Sequence, residues 1–492
     1  MSVQTAVAGI VRPAAVRRPH YSVTFVVLTV GVGSYALLQS LVAPVLPTVQ
    51  EHLHTTQSTV TWVMTAYLLS ASVATPILGR IGDMVGKERM LLLTLVALGA
   101  GSLLAAVATS IGVMIAARVI QGIGGGIIPL AFGIIRDEFP PEKISAAIGT
   151  AAALTAVGGG LGIVLAGPIV DTLGYHWLFW VPVIVTGFAA VATYRVVPES
   201  PVHAAGHVNL AAAGLLSGWL VALLVPVSEA EQWGWTSGPV LALLALAVLL
   251  AVAWVAVEIR SAEPLIDMRM MRVPAVWTTN LVALLFGVTM YSVMAFLPQF
   301  VQTPSAAGYG FSASITQSGL FLLPMTATMF TGGIVSGRLA ARVGAKALLA
   351  AGSALMIVPM AWIAVSHGHR WEIYAISALI GGGVGLAFSA MSALIVTAVG
   401  PEQTGAATGM NANVRTIGGS IGTAITASIV TSGASADGLP RDFGYTHGFW
   451  FLAAASAVAL AATLLIPGTR RSAREPALSA AALVPVGVAD HA

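Results

Sequence analysis

The chain reads as long apolar runs broken by short polar joints. Neither the strict alternation of a half-buried strand nor the narrow stripe of a surface helix describes these runs, and their length decides what they are. A helix needs about 20 predominantly apolar residues to cross the hydrocarbon of a bilayer. Fourteen segments approach or exceed that length, near residues 22–46, 59–78, 90–108, 111–134, 144–170, 177–197, 210–228, 238–257, 275–300, 313–335, 347–365, 371–397, 402–430 and 446–467. Several hold internal Pro or Gly, which spanning helices tolerate because neighbouring groups re-satisfy the freed backbone. The pattern predicts an all-α integral membrane protein with fourteen transmembrane helices.

Composition agrees. Of 492 residues 57% are apolar and 8% charged, with a mean hydropathy of +0.90, whereas a soluble domain carries about 25% charge. Lipid is therefore the expected solvent. The absence of cysteine excludes disulfides, thiol catalysis and Cys-ligated metal. A net charge of +3 is too small to suggest a nucleic-acid partner. The placement of charge is more telling. With the N-terminus inside, 18 of the 22 basic residues fall in cytoplasmic segments, only Arg370 and Arg441 fall outside, and Arg118 and Arg415 lie within helices. That bias is what the positive-inside rule requires, and an even number of spans puts both termini in the cytoplasm. The run behind Arg12, Arg17 and Arg18 is too long for a signal-peptide core, so residues 1–21 are expected to form a cytoplasmic tail.

The chain also repeats itself. Gly79, Arg80, Val85 and Gly86 match Gly337, Arg338, Val343 and Gly344, 258 positions on, and Pro141–Gly159 lines up with Pro401–Gly419 at an offset of 260. Two nearly equal offsets imply a duplicated bundle. The expected organisation is a six-helix unit over 22–197, two inserted helices within 198–274, a second six-helix unit over 275–467 and a cytoplasmic C-terminal tail over 468–492. Tandem bundles of this kind are how many secondary transporters are built, with the substrate site between the repeats. Trp233 and Trp235 fall in the outer turn between spans 7 and 8, where interfacial aromatics belong.

These features resemble the major facilitator superfamily, and the six, two and six layout is similar to its fourteen-helix drug:proton antiporter family, over about residues 20–470. Gly79, Ile81, Gly82, Asp83, Gly86 and Lys87, with Arg89 following, resemble that superfamily's motif A, from which Met84 and Glu88 depart. Arg118, Gln121, Gly122 and Gly124 resemble its motif B. Gly158, Gly162, Gly167 and the downstream Pro168 resemble its span 5 antiporter motif, although Ile163 replaces the first Pro and Ala166 a Gly. The stretch PLIDMRMMRVPAVWTTN before span 9 is also similar to the family. The resemblance implies a multi-pass efflux transporter of the inner or plasma membrane. It would export drugs, antibiotics or a metabolite by alternating access, driven by an ion gradient, protons by analogy, with no bound cofactor. In the family, motif A latches the outward-facing arrangement and the motif B arginine takes part in proton transfer. One departure bears on coupling: Leu38 stands where the family carries a span 1 acid, and its neighbour Gln39 cannot titrate. A proton-independent uniporter, or an exporter of an anionic or neutral metabolite, therefore stands as the alternative. A polytopic membrane enzyme or a transport-dead sensor is more remote, because no convergent nucleophile, base or metal cluster and no soluble signalling segment is visible.

Read as chemistry, Asp83 is expected in a Gly-bracketed loop at the membrane edge, accepting from a helix N-terminus and pairing with an arginine. The second copy has Ala341 there, which makes any latch asymmetric. Arg118 must face the bundle or a wet cavity, since an unpaired mid-membrane Arg costs at least about 2.5–3.5 kcal/mol. Asn411 and Arg415 are four apart and share a helix face, with Asn413 between them, so a cavity lining is expected there. Gly418, Gly419 and Gly422 read as close-packing positions. The acids fall in loops, tails and span ends, Asp171 being the deepest besides Asp83. Two buried arginines without a mid-membrane acid favour neutral or anionic amphiphiles over cations. Met64, Met290, Met294 and Met325 could supply an adaptable apolar lining, although as single residues they read first as plain helix packing. The outer pairs His52/His54 and His367/His369 read as loop residues rather than metal ligands, and no Walker-type phosphate loop is present. The partners implied are the lipid bilayer and small hydrophobic or amphiphilic substrates, with no nucleic acid and no obligate protein partner.

Overall fold

A computed structural model of the chain describes residues 20–200, 209–262, 264–432 and 440–467. The expected terminal tails, with Arg12, Arg17, Arg18, Arg470, Arg471 and Arg474, lie outside the described residues apart from His20 and Tyr21. Among the described residues the regular structure is helical throughout. The long helices are α1 (Tyr21–Leu41), α2 (Gln57–Val85), α3 (Lys87–Ala106), α4 (Ile111–Glu138), α5 (Pro141–Leu173), α6 (Trp177–Val196), α7 (Leu210–Trp233), α8 (Gly238–Arg260), α9 (Pro274–Gln302), α10 (Ile315–Val343), α11 (Ala345–Val365), α12 (Arg370–Ala398), α13 (Thr404–Thr431) and α14 (Asp442–Leu464). Thirteen of them contain a stretch long and apolar enough to cross a membrane. The exception, α13, spans 28 residues but spends its apolarity on Asn411, Asn413, Arg415 and a run of small residues.

The elements are set by local chemistry. Thr56, Ser110 and Ser314 accept from backbone N–H groups in the first turns of α2, α4 and α10, satisfying donors that a helix start leaves open. Span 1 is shorter than its apolar run implies. The chain passes from α1 into a 3₁₀ turn at Ala43–Val45, with Pro44 at its start, and then a short helix Leu46–His52. Span 2 is longer than expected. Residues 79–85 are the last turns of α2 rather than a loop, and the break before α3 is Gly86 alone, at φ 129°. A side chain is strained at that angle, so one glycine does the work of the loop. α4 is continuous in direction but tightens to 3₁₀ over Ile123–Gly126.

Apolar packing groups the helices. Two clusters join α1 to α6, and one of them also takes in Phe388 and Val396 of α12. A third joins α9, α10, α11, α12 and α14 through Phe286, Phe300, Met325 and Met356. A fourth holds α7 against α2 and α13, through Leu216 and Leu220 on α7 and Met410 and Ile417 on α13. Trp235, in the turn after α7, donates to Ser428 of α13 at 2.9 Å. α8 packs on α7 and leaves Val248, Leu249 and Val252 exposed, as a lipid-facing helix would.

The α9–α13 seam is built on small residues. A Cβ on Gly422 would lie 2.5 Å from Val288 Cα, and one on Gly419 2.6 Å from Tyr291 Cγ. Nothing lies within 4 Å of a Cβ at Gly187 of α6. Overpacking a close seam costs about 1–3 kcal/mol or more. Gly422→Leu is therefore expected to lower the thermal midpoint of the detergent-purified protein, read by fluorescence-detected size exclusion after heating, while Gly187→Leu leaves it unchanged or slightly raised.

Candidate functional site

Two of the places where charged groups are buried lie between helices of the first and second halves. The first is at the face where α1 starts, a face fixed by Tyr21 packing against Phe139 and Lys143 at the α4–α5 turn. The α2 backbone meets the start of α13 here, and a Cβ on Gly79 would stand 2.5 Å from the Gly405 carbonyl oxygen. That approach delivers the buried Asp83 carboxylate to the N-terminus of α13, where Oδ2 accepts from the Ala406 N–H at 3.2 Å. A helix start offers free N–H donors and positive potential, which suit an anion. Lys87, also buried, stands between two carboxylates, 3.6 Å from Asp83 Oδ1 and 2.7 Å from Asp137 Oδ2. The cation beside Asp83 is thus a lysine one turn on, not the arginine expected. Arg89 is exposed and meets Glu199 at 3.3 Å, away from Asp83. Glu199 in turn accepts from the Glu88 N–H at the start of α3, and so binds the chain after α6 to the α2–α3 corner.

A second contact at this face has no counterpart in the sequence reading. Arg136, at the end of α4, donates to the carbonyls of Val396 (2.6 Å) and Val399 (2.6 Å) and to the Thr404 hydroxyl (2.8 Å). One guanidinium therefore caps the end of α12 and touches the start of α13, complementing the carbonyls a helix terminus leaves open. Arg136 had been counted only as a topology-setting charge, although the FGIIRDEFPPEK run places it where a span ends.

The second place is a cavity of about 230 Å³ at mid-depth. Its wall draws on α1, α2, α4 and α5 on one side and α9, α10, α12 and α13 on the other. Gln39, Asn413 and Arg415 line it, with Met64, Met290 and Met294. Met325 does not; it is buried in the α9–α14 cluster, and Met329, one turn on, reaches the cavity. Tyr35, Tyr291 and Phe388 complete an aromatic lining that the sequence reading missed, its one signal being tyrosines at mid-span. Among the described residues no Asp or Glu lines the cavity. Asp171 is exposed near the far end of α5 and takes no part in it.

The two arginines differ. Arg118 is fully buried and does not line the cavity. Its Nε donates to the Val63 carbonyl at 2.9 Å, one terminal nitrogen donates to Gln121 at 2.9 Å, and its guanidinium lies 4.2 Å from the Tyr67 ring centre. Gln121 passes the chain of bonds to Ser102 of α3. Gly122 lets α4 approach the Tyr67 carbonyl of α2, 2.8 Å from where a Cβ would sit. Arg118 is therefore satisfied by neutral partners inside the α2–α3–α4 corner. Arg415 reaches the cavity, its guanidinium 4.2 Å from the Phe388 ring centre and beside Tyr291. Its Nε has no hydrogen-bond partner, and neither side-chain polar atom of Asn413 has one. Asn411, expected beside Arg415 in the lining, instead donates to Asn280 of α9 at 2.8 Å and belongs to the helix seam. Gly158 and Gly162 seat α5 on α1, Gly167 faces Thr316 of α10, and Pro168 lies inside the last turns of α5. The outer histidines have local partners: His52 stacks on Tyr175 at 4.4 Å and His367 meets Asp442 at 3.0 Å.

Comparison with known proteins adds a frame. The family model described as Major Facilitator Superfamily matches residues 28–423. The cephamycin export protein CmcT of Amycolatopsis lactamdurans is 30% identical over 446 residues, covering 88% of this chain and 90% of that one. The tetracenomycin C resistance and export protein of Streptomyces glaucescens is 27% identical over 418 residues, covering 83% and 76%. Multidrug resistance protein 3 of Bacillus subtilis (strain 168) is 28% identical over 375 residues, covering 75% and 72%. Among solved structures, the human organic anion transporter MFSD10 (TETRAN) superposes with a TM-score of 0.67 at 15% identity, covering 91% of this chain and all of that one, a likeness of fold.

The Asp83 contact generates a prediction. A hydrogen bond to a charged group contributes about 1.5–3 kcal/mol, or about ten- to a hundredfold in an equilibrium. Asp83→Asn is expected to loosen the α2–α13 contact by a factor in that range. Thr408→Cys, buried on α13 in a chain with no native cysteine, reports it as faster modification by a maleimide in the Asp83→Asn background.

Proposed function

The chain belongs to the Major Facilitator Superfamily and is a multi-pass membrane protein, and from that premise we propose that it exports small hydrophobic or amphiphilic molecules by alternating access. The fourteen long helices would all span, with both termini in the cytoplasm. Residues 22–197 and 275–467 form the two moving halves, and α7 and α8 lie between them in sequence. The observation that carries this reading is the mid-depth cavity walled by helices of both halves, apolar and rich in methionine, with the halves latched together at one end through Asp83, Lys87 and Arg136. A soft apolar wall re-packs around varied ligands at low cost. The export and resistance names of the relatives support the same direction of transport.

Alternation demands that the latch break. A ligand can shift such an equilibrium only by its differential affinity for the two arrangements. A few charge-assisted bonds at a helix end, rather than a large apolar interface, suit that requirement.

Energy would come from an ion gradient, and protons are the proposal by family analogy. One observation favours the second reading, a carrier indifferent to pH: Leu38 occupies the span 1 position, and no carboxylate lines the cavity. Purified protein in liposomes separates the two. Ethidium, Nile red and carboxyfluorescein serve as cationic, neutral and anionic probes. Proton antiport predicts that flux of the transported probe rises with an imposed pH gradient and falls to the protein-free rate when a protonophore collapses it. Flux that ignores the gradient removes proton coupling. No flux of any probe, with protein shown to be folded and inserted, removes the exporter reading for these chemistries.

A further inference from the structure

We propose that Arg415 is the recognition group for an anion. On this reading the cavity selects amphiphiles that carry a carboxylate or sulfonate on an aromatic or apolar body. The inference rests on the proposed export function and deepens it.

Arg415 is only 5% exposed and its guanidinium is permanently charged. A cation so placed needs a counter-charge, a set of neutral acceptors, or water. Arg118 shows the second solution in the same molecule, with a carbonyl, an amide and an aromatic face around it. Arg415 has only part of it, in the Tyr291 phenol. The Phe388 face and the Tyr291 phenol flank the guanidinium, the Nε lacks any partner, and no carboxylate lies in the wall around it. Asn413, 1% exposed and also lining the cavity, holds two donors and an acceptor with no partner. Unpartnered buried polar atoms are rare, and here they belong to two residues that line one cavity, which makes that wall the place to look for a guest.

The geometry specifies the guest. A guanidinium presents a planar fork that matches a carboxylate or sulfonate, and Asn413 can add an amide N–H to the same group. Phe388 covers one face of the guanidinium and so excludes water from that side. Met64, Met290, Met294 and Met329, with Tyr35, line the same cavity and supply an apolar and aromatic surface for the body of the ligand. A cationic amphiphile would meet Arg415 with no acid to offset it. The placement of Arg415 also ties binding to the fold. A Cβ on Gly287 of α9 would be jammed against the Arg415 backbone carbonyl, so α9 and α13 pack directly behind the residue and hold its backbone still.

The test uses the full-length protein in nanodiscs and three probes on one scaffold: 2-naphthylacetate, its methyl ester, and a 2-naphthylethyl trimethylammonium ion. Intrinsic tryptophan quenching and equilibrium dialysis give the affinities. The expected result is that the acetate binds at least about tenfold tighter than the ester, as a charge-assisted bond requires, and that the ammonium binds weakest. In Arg415→Gln the acetate-to-ester ratio falls to near one while ester binding stays within about twofold of the parent. Arg415→Lys keeps part of the preference, which a merely structural role would not. Asn413→Leu lowers acetate affinity more than ester affinity, and serves as an independent arm should the arginine variants elute as unfolded protein. An unchanged ratio in Arg415→Gln and Asn413→Leu, or an ammonium bound as tightly as the acetate, overturns the assignment and leaves the cavity as a binding site. Failure of all three probes to bind folded parent protein overturns the cavity as the binding site, and the assignment with it.

Discussion

Charge removed from water inside a lipid-embedded bundle must be met by something, because the surrounding hydrocarbon offers neither hydrogen bonds nor screening. Three of the buried ionic groups are each met differently. Asp83 is met across the interface between the repeats by the N-terminus of α13, and within its own half by Lys87. Arg118 is met within its own half by neutral acceptors. Arg415 is met by the Phe388 face and the Tyr291 phenol, leaves its Nε without a partner, and lines the cavity. On the proposed reading those three solutions map onto closing one end of the molecule, stiffening one helix corner and receiving a guest.

The closed end shows why the two repeats are not interchangeable. Asp83 on α2 accepts from the start of α13, and Arg136 on α4 donates to the end of α12, so both clasping side chains come from the first half and both of their partners are helix termini of the second. The matching position in the second repeat is Ala341, which supplies no carboxylate. α7 packs on α2 and α13 alongside this contact, with its hydrophobic cluster touching both halves. Of the two inserted helices, α7 therefore sits against α2 and α13, and α8 packs on α7.

Much of this was legible in the chain. Apolar run length located the long helices, and the offsets of 258 and 260 paired α2 with α10 and α5 with α13. What was not legible came from contacts across large separations. Nothing local tells that Asp83 will meet Ala406, 323 residues away, or that Arg136 will cap α12. Helical spacing put Asn411 and Arg415 on one face, and that face does lie against α9. Asn411 is short and bonds to Asn280 there, whereas the longer Arg415 side chain reaches past the seam into the cavity. Run length also misjudged the ends. Polar and small residues at Gly79–Val85 read as a loop, yet they continue α2 until Gly86 breaks it. Asp171 was singled out for its depth along the chain, and its position on the outside of α5 was invisible to that criterion.

The central claim is that the two repeats move against each other about the cavity, with the ends opening in turn. Pulsed electron paramagnetic resonance on spin-labelled cysteines measures this directly, since the parent chain has no cysteine. One pair would sit at exposed Val85 and Glu402 beside the latch, and another at exposed Glu51 and Ser305 at the opposite end. The account predicts two distance populations for each pair, changing in opposite senses between samples: when Val85 and Glu402 part, Glu51 and Ser305 draw together. A single fixed distance for both pairs under every ligand and pH condition, or a change in the same sense at both ends, would contradict it.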